Sequence, residues 1–308
     1  MLVACAACAD PLRVATWHGD FSRKGPGLML ADFDKVVPDL SPIMSTAPDV
    51  LVLTDIDYDA GLVTLSKLRD VLQETGLDYP HQLSVRPNTG MPTDLDIDGD
   101  GRRGGPRDAQ GFGWFSGQGG MAVLSRFPVD LLADHSKILW KDTHDSTIAK
   151  DDPAFAIQRL SSSTFWAVRV AAPDGDLTLL TLGATPPVFD GPEDRNGRRN
   201  RDEVLFWAHV LNGDHGPIPE GPVAVIGNLN LDPERGNGLH EAARTLLTHP
   251  RLQDPMPGVQ TVAWDSTGPM RVSYVLPDRS VTVGENGVTP PSPDLGRHGL
   301  VWVDLVLR

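Results

Sequence analysis

At 308 residues with 40% hydrophobic side chains, the chain has material for one large packed core or two small ones, and its composition excludes a disordered polymer. A formal net charge of −14 repels nucleic acid and anionic membrane surfaces, which disfavours a high-affinity nucleic-acid binder. Both cysteines, Cys5 and Cys8, lie in the opening stretch, so the remaining chain carries no thiol, disulfide framework or cysteine metal site, and no run approaches the length of a membrane span.

The opening MLVACAACAD, residues 1–10, reads as a remnant of an export signal or an N-terminal tail. Its small residues match the cleavage region of a secretory signal whose basic and apolar parts would lie upstream, and Leu2 to Cys5 also fits a lipoprotein-type acceptor. A periplasmic or secreted protein is the expectation. Leu12 to Trp17 then reads as a strand with His18-Gly19-Asp20 at its end, followed by a helical segment from Met29 to Met44 interrupted by Pro38 and Pro42. Val50 to Leu53 is a buried strand delivering Asp55, Asp57 and Asp59, and Leu62 to Thr75 carries Leu62, Leu65, Leu68 and Leu72 at helical spacing.

From Arg86 to Gly120 the composition shifts to Gly, Asp, Pro and Arg, the mark of a long functional loop. Gly120 to Phe127 restores a strand. Phe155 to Ala171 and Leu177 to Leu182 read as a strand pair turning at Pro173-Asp174-Gly175, and a helix runs from about Arg201 to Leu211. Pro222 to Ile226 is a buried strand from which Asn228, Asn230 and Asp232 emerge, alternating with Leu229 and Leu231. Leu239 to Leu247 is helical, and Arg271 to Leu276 and Leu300 to Leu307 are strands. Adjacent strand pairs among the helices point to an α+β two-sheet β-sandwich flanked by helices, in one domain over residues 11–308.

With these pieces in order, TWHGDFSR, APDVLVLTDIDYD, GQGGMAVLSRFPV, TPPVFDGPEDRNGRRN, VIGNLNLDP, RVSYVLP and GRHGLVWVDL, the chain resembles the endonuclease/exonuclease/phosphatase superfamily from Leu12 to Leu307, in its secreted or periplasmic bacterial form. The resemblance implies two packed sheets and a site at converging strand ends. There a divalent cation on carboxylates, a water-activating Asp, an Asn that orients the water and two His would hydrolyse a phosphoester. Matched position by position, most of those groups are replaced. His18 stands for an Asn, Asp55 for the metal-binding Glu, Gly183 for the first His and Asn228 for the water-activating Asp. Ser273 stands for the Asp that orients the final His, and Arg297 for the Asp before it; Asn230 and His298 are retained.

With Asp55 the remaining carboxylate at these positions and Arg297 adding positive charge, Mg²⁺ binding is doubtful, because that ion sheds water reluctantly. A missing general base alone removes about a hundredfold to ten-thousandfold in rate. The expectation is a catalytically impaired protein or pseudoenzyme with a binding or scaffold role. The alternative is a rebuilt phosphoesterase in which Arg297 clamps phosphate and His298 or His18 serves as acid or base. The plain reading of His18 is a structural histidine, and that of Arg297 a surface ion pair, with Asp294 the candidate partner.

In DLDIDGDGRRGGPRD, Asp96, Asp98 and Asp100 take the first, third and fifth positions of a calcium loop, with Gly101 at the turn and the Arg102 carbonyl seventh. Arg107 replaces the closing Glu, leaving Asp108 to complete a structural Ca²⁺ site. The run Glu193 to Arg201 reads as solvated loop and helix start, or as a phosphate-reading edge. Trp114, Trp140, Trp166, Trp207, Trp264 and Trp302 are scattered and mostly assigned to the core. Substrate, ligand and oligomeric state are not encoded in any motif.

Overall fold

The computed structural model describes residues 10–307, so the export-signal and lipoprotein expectations for the first residues, Cys5 and Cys8 among them, lie outside the described residues. Among those described, no helix is long and apolar enough to cross a membrane.

Strand β1 (Leu12–Phe21) pairs in parallel with β2 (Val50–Ile56), whose apolar run Val50 to Leu53 is covered on two faces. Between them in the chain lie α1 (Leu28–Lys35) and α2 (Ser41–Thr46). The single interrupted helix expected there is two helices, with Pro42 seated in the first turn of α2, where a missing N–H costs nothing. Helix α3 (Val63–Glu74) lays Leu65, Leu68 and Leu72 on the sheet, and Asp59 accepts from the N–H groups of Val63 and Thr64 at its start. Strands β3 (His81–Leu83) and β4 (Gly120–Ser125) follow, separated by the long loop, whose regular structure is one 3₁₀ turn at Pro106–Asp108.

The second half repeats the plan. Strands β5 (Val129–Asp134), β6 (Phe165–Ala172) and β7 (Gly175–Gly183) form an antiparallel meander, α4 (Arg195–Asn212) crosses over, and β8 (Val223–Asn228) pairs in parallel with β7. Then come α5 (Glu241–Leu247), a ribbon of β9 (Val262–Trp264) and β10 (Gly268–Met270), then β11 (Ser273–Pro277), β12 (Thr282–Val288) and β13 (Val301–Val306). One sheet has the order β12-β13-β1-β2-β4-β3 and the other β11-β8-β7-β6-β5. The α+β sandwich is therefore as expected, with both sheets built around a central parallel pair.

Three large buried clusters hold it, with a small fourth at Val262, Met270 and Val272. Val14, Val50, Val52 and Val303 of one sheet meet Val168, Leu179, Ile226 and Val275 of the other, and each such side chain contributes about 1.5–3 kcal/mol when fully buried. A second cluster lies under α1, α2 and α3, and a third under α4 and α5. Trp140, Trp166 and Trp207 are core residues as expected, but Trp114 is 53% exposed.

Some boundaries shift. The segment from Phe155 to Thr164 is irregular rather than strand. The run expected to be largely loop forms the first turns of α4, starting at Arg195, and within it Arg199 is buried and donates to the carbonyls of Leu160, Gln110, Arg159 and Ser161. Those four bonds substitute for water around the guanidinium.

Candidate active site

The C-terminal ends of the two parallel pairs converge the positions of interest: His18 on β1, Asp55 on β2, Gly183 on β7 and Asn228 on β8. His18 lies inside β1 rather than beyond it, because β1 continues through an irregularity between His18 and Phe21. Its Nδ1 is 2.9 Å from Thr54 Oγ1 on the neighbouring strand. The other face of the ring rests on His298, with centroids 4.6 Å apart and a tilt of 59°.

His298 sits between His18 and Trp264, whose ring meets it edge-on at 5.5 Å. Its backbone carbonyl accepts from Trp17 Nε1 at 3.0 Å, and His298 forms a bridge with Val262. His298 is 7% exposed and its Nδ1 has no hydrogen-bond partner in the protein. Ser273 Oγ, at the position that would orient this His, is also buried and unpartnered, so the orienting bond is not made. Burial, with His18 adding to it, pushes the His298 pKa down to about 2, and burial pushes that of the partly buried His18 down to about 4. Both rings are neutral at pH 7.

Asn228 and Asn230 close on each other. Asn228 Nδ2 donates to Asn230 Oδ1 at 3.2 Å, and the Asn230 N–H donates to Asn228 Oδ1 at 3.0 Å. Asn230 Nδ2 is committed to the Ala184 carbonyl at 2.8 Å, and Asn230 takes a left-handed φ of 50° to reach these partners. Asp232 does not join them. Its carboxylate accepts from the N–H groups of Glu234, Arg235 and Arg271 and shapes the turn. At Gly183 an added Cβ would meet Ser163 Oγ at 3.0 Å and Met121 Sδ at 3.7 Å, so side chains already crowd the place of the missing His.

Asp55 occupies a left-handed position, φ 67°, beside Gly119, where a Cβ would come within 2.7 Å of its Oδ1. Asp57 is nearby and accepts from the N–H groups of Arg23 and Gly119. Burial first, then the charges of Asp20 and Asp57, raise the Asp55 pKa to about 7, with Arg23 opposing. Among the described residues, sets of at least three His, Asp or Glu donors with ligand atoms within 4.8 Å of one another occur at two places, and neither includes Asp55 or His298. Asp20 and Asp57 are site residues the sequence reading did not assign; their spacing around two strand ends was the available signal.

Arg297 stands apart. It forms a two-toothed pair with Asp265 at 2.9 and 2.6 Å on exposed surface, and Asp294 instead accepts from the Asp39 N–H. Of the calcium-loop residues, Asp96, Asp98 and Asp108 come together within 4.8 Å, while the Asp100 carboxylate turns to the Arg102 N–H and lies outside that set. Asp108 is buried, accepting from Ile97 and Gly105, and anchors the loop.

The sequence model of the Endonuclease/Exonuclease/phosphatase family matches residues 30–302, and the chain belongs to that family. Among solved structures, it is similar to an endonuclease/exonuclease/phosphatase from Beutenbergia cavernae, at 19% identity, a TM-score of 0.64, and 97% and 72% of the two chains covered. Sphingomyelinase C from Streptomyces griseocarneus gives 14% identity and a TM-score of 0.54 over 96% and 99% of the chains. The human Nocturnin catalytic domain with bound sulfate gives 15% and 0.52 over 96% and 93%. At these identities the likeness is one of fold. No curated protein matches the sequence.

Proposed function

We propose that this family member is catalytically impaired and serves a binding or scaffold role rather than turning over a phosphoester by the family's metal-assisted route. The carrying observation is the closed Asn228–Asn230 pair where that route needs a carboxylate: an amide already hydrogen-bonded to its neighbour takes no proton from water. The nearly dry His298 without an orienting partner supports the same reading. The rebuilt alternative through Arg297 is weakened by that residue's pairing with Asp265. Its phosphate clamp would first have to break that pair.

The second part of the proposal is a structural Ca²⁺ on Asp96, Asp98 and Asp108, with export to a calcium-rich compartment as its setting. Thermal unfolding with added Mg²⁺, Mn²⁺ or Ca²⁺ tests both parts. Ca²⁺ should raise the midpoint, the rise should disappear in Asp98→Asn, and it should persist in Asp55→Asn. A Mg²⁺ or Mn²⁺ effect abolished by Asp55→Asn would show a working catalytic metal site and defeat the proposal.

A further inference from the structure

A cluster of imidazoles lies at the other end of α4. Asn200 marks the site end of this helix, its Nδ2 bonded to the carbonyls of Thr185 and Leu229, and His209 lies nine residues on, about 13 Å along the axis. The helix ends at Gly213 in a left-handed conformation, which lets the Asp214 N–H donate to the His209 carbonyl at 2.9 Å and sets the Asp214 carboxylate beside the His209 ring.

A separate segment brings the next group. Asp202, seven residues before His209 and so on the same helical face, accepts from Trp140 Nε1, from the Thr147 N–H and from Thr147 Oγ1. These bonds hold the segment between Trp140 and Thr147 across that face and present His144 to His209, with ring centroids 4.6 Å apart. His144, His209 and Asp214 thus have donor atoms within 4.8 Å of one another.

We infer that His144, His209 and Asp214 form a binding site for a divalent transition-metal ion of the zinc class, separate from the candidate active site. The spacing supports it. His209 Nδ1 and Asp214 Oδ2 are 3.3 Å apart, long for a hydrogen bond and equal to the roughly 3.3 Å edge between two ligands of a tetrahedral zinc. Asp145 places a second carboxylate 3.4 Å from His144 Nε2, and the negative charge gathered here suits a dication with an imidazole-bound partner shell. Nitrogen donors select the zinc class over Ca²⁺ or Mg²⁺. The ion would staple the Trp140–Thr147 segment and the turn after α4 to the helix end, with water in the fourth position.

Zinc titration of chelator-stripped full-length protein tests this, read by calorimetry and by the visible absorption of Co²⁺ as a substitute probe. One ion per chain is expected, with the dissociation constant raised more than about a hundredfold in His144→Ala and in Asp214→Asn, both at solvent-facing positions that the fold tolerates. Asp98→Asn should leave the zinc affinity unchanged. Absence of stoichiometric uptake, or uptake retained by both His144→Ala and Asp214→Asn, would overturn the assignment.

Discussion

A carboxamide at position 228 does two things that a carboxylate would not: it donates to Asn230 Oδ1, and it stays neutral beside the buried His298 half of the site. Among the titrating groups of the region, the two histidines, His18 and His298, and Asp55 act on stability in opposite directions. His18 falls to about 4 and His298 to about 2, so below about pH 6.5 the unfolded chain takes up protons that the fold refuses, and stability is lost as pH drops toward 4. Asp55 rises to about 7, so between about pH 4 and 7 the fold keeps a proton that the unfolded chain gives up, and stability is lost as pH rises through that window. Each pKa unit corresponds to about 1.4 kcal/mol at most, which makes the effects measurable one residue at a time. Urea midpoints from pH 4.5 to 8 should show Asp55→Asn gaining on the parent as pH rises and His18→Asn gaining as pH falls. Curves that run parallel to the parent would contradict this, as would a parent whose Asp55 is held ionised by added Mg²⁺.

At the scale of elements, α4 connects the two ends of the molecule that matter. Arg199 in its second turn replaces solvent for the carbonyls of Leu160, Gln110, Arg159 and Ser161, and thereby fixes the irregular segment leading into β6. Arg199→Met keeps the bulk but leaves those carbonyls unpaired, and should cost on the order of 3–5 kcal/mol in chemical denaturation; a loss below about 1 kcal/mol would mean the segment is held by something else. These first turns were not legible as helix, because Arg195-Asn196-Gly197-Arg198-Arg199-Asn200 shows neither an apolar stripe nor a local cap, and its stabilisation comes from carbonyls far away in sequence. Likewise β5, with Asp130 and Asp134 in it and alternating exposure at a sheet edge, carries a weak pattern, and β3 is too short to show one. By contrast α3 was legible from its leucines, and β2 and β8 from their apolar runs, since burial on both faces writes itself into composition.

For the whole molecule, the sandwich brings strand ends together that are far apart in the chain, and the order of motifs was enough to expect that convergence. Which side chains then face each other was not legible. The His18–His298 stacking, the Asn228–Asn230 bond and the Arg297–Asp265 pair depend on rotamers and on loop positions that no spacing encodes. The same limit hid the His144–His209–Asp214 group, whose members come from two distant segments. What emerges is a family fold in which groups at the strand ends hydrogen-bond or stack with one another. The most direct test is hydrolysis of a generic phosphomonoester and a generic phosphodiester by pure protein, with Mg²⁺, Mn²⁺, Ca²⁺ or EDTA, beside His298→Ala. The account predicts rates equal to those of His298→Ala under every condition; metal-dependent turnover that is lost in His298→Ala would contradict it.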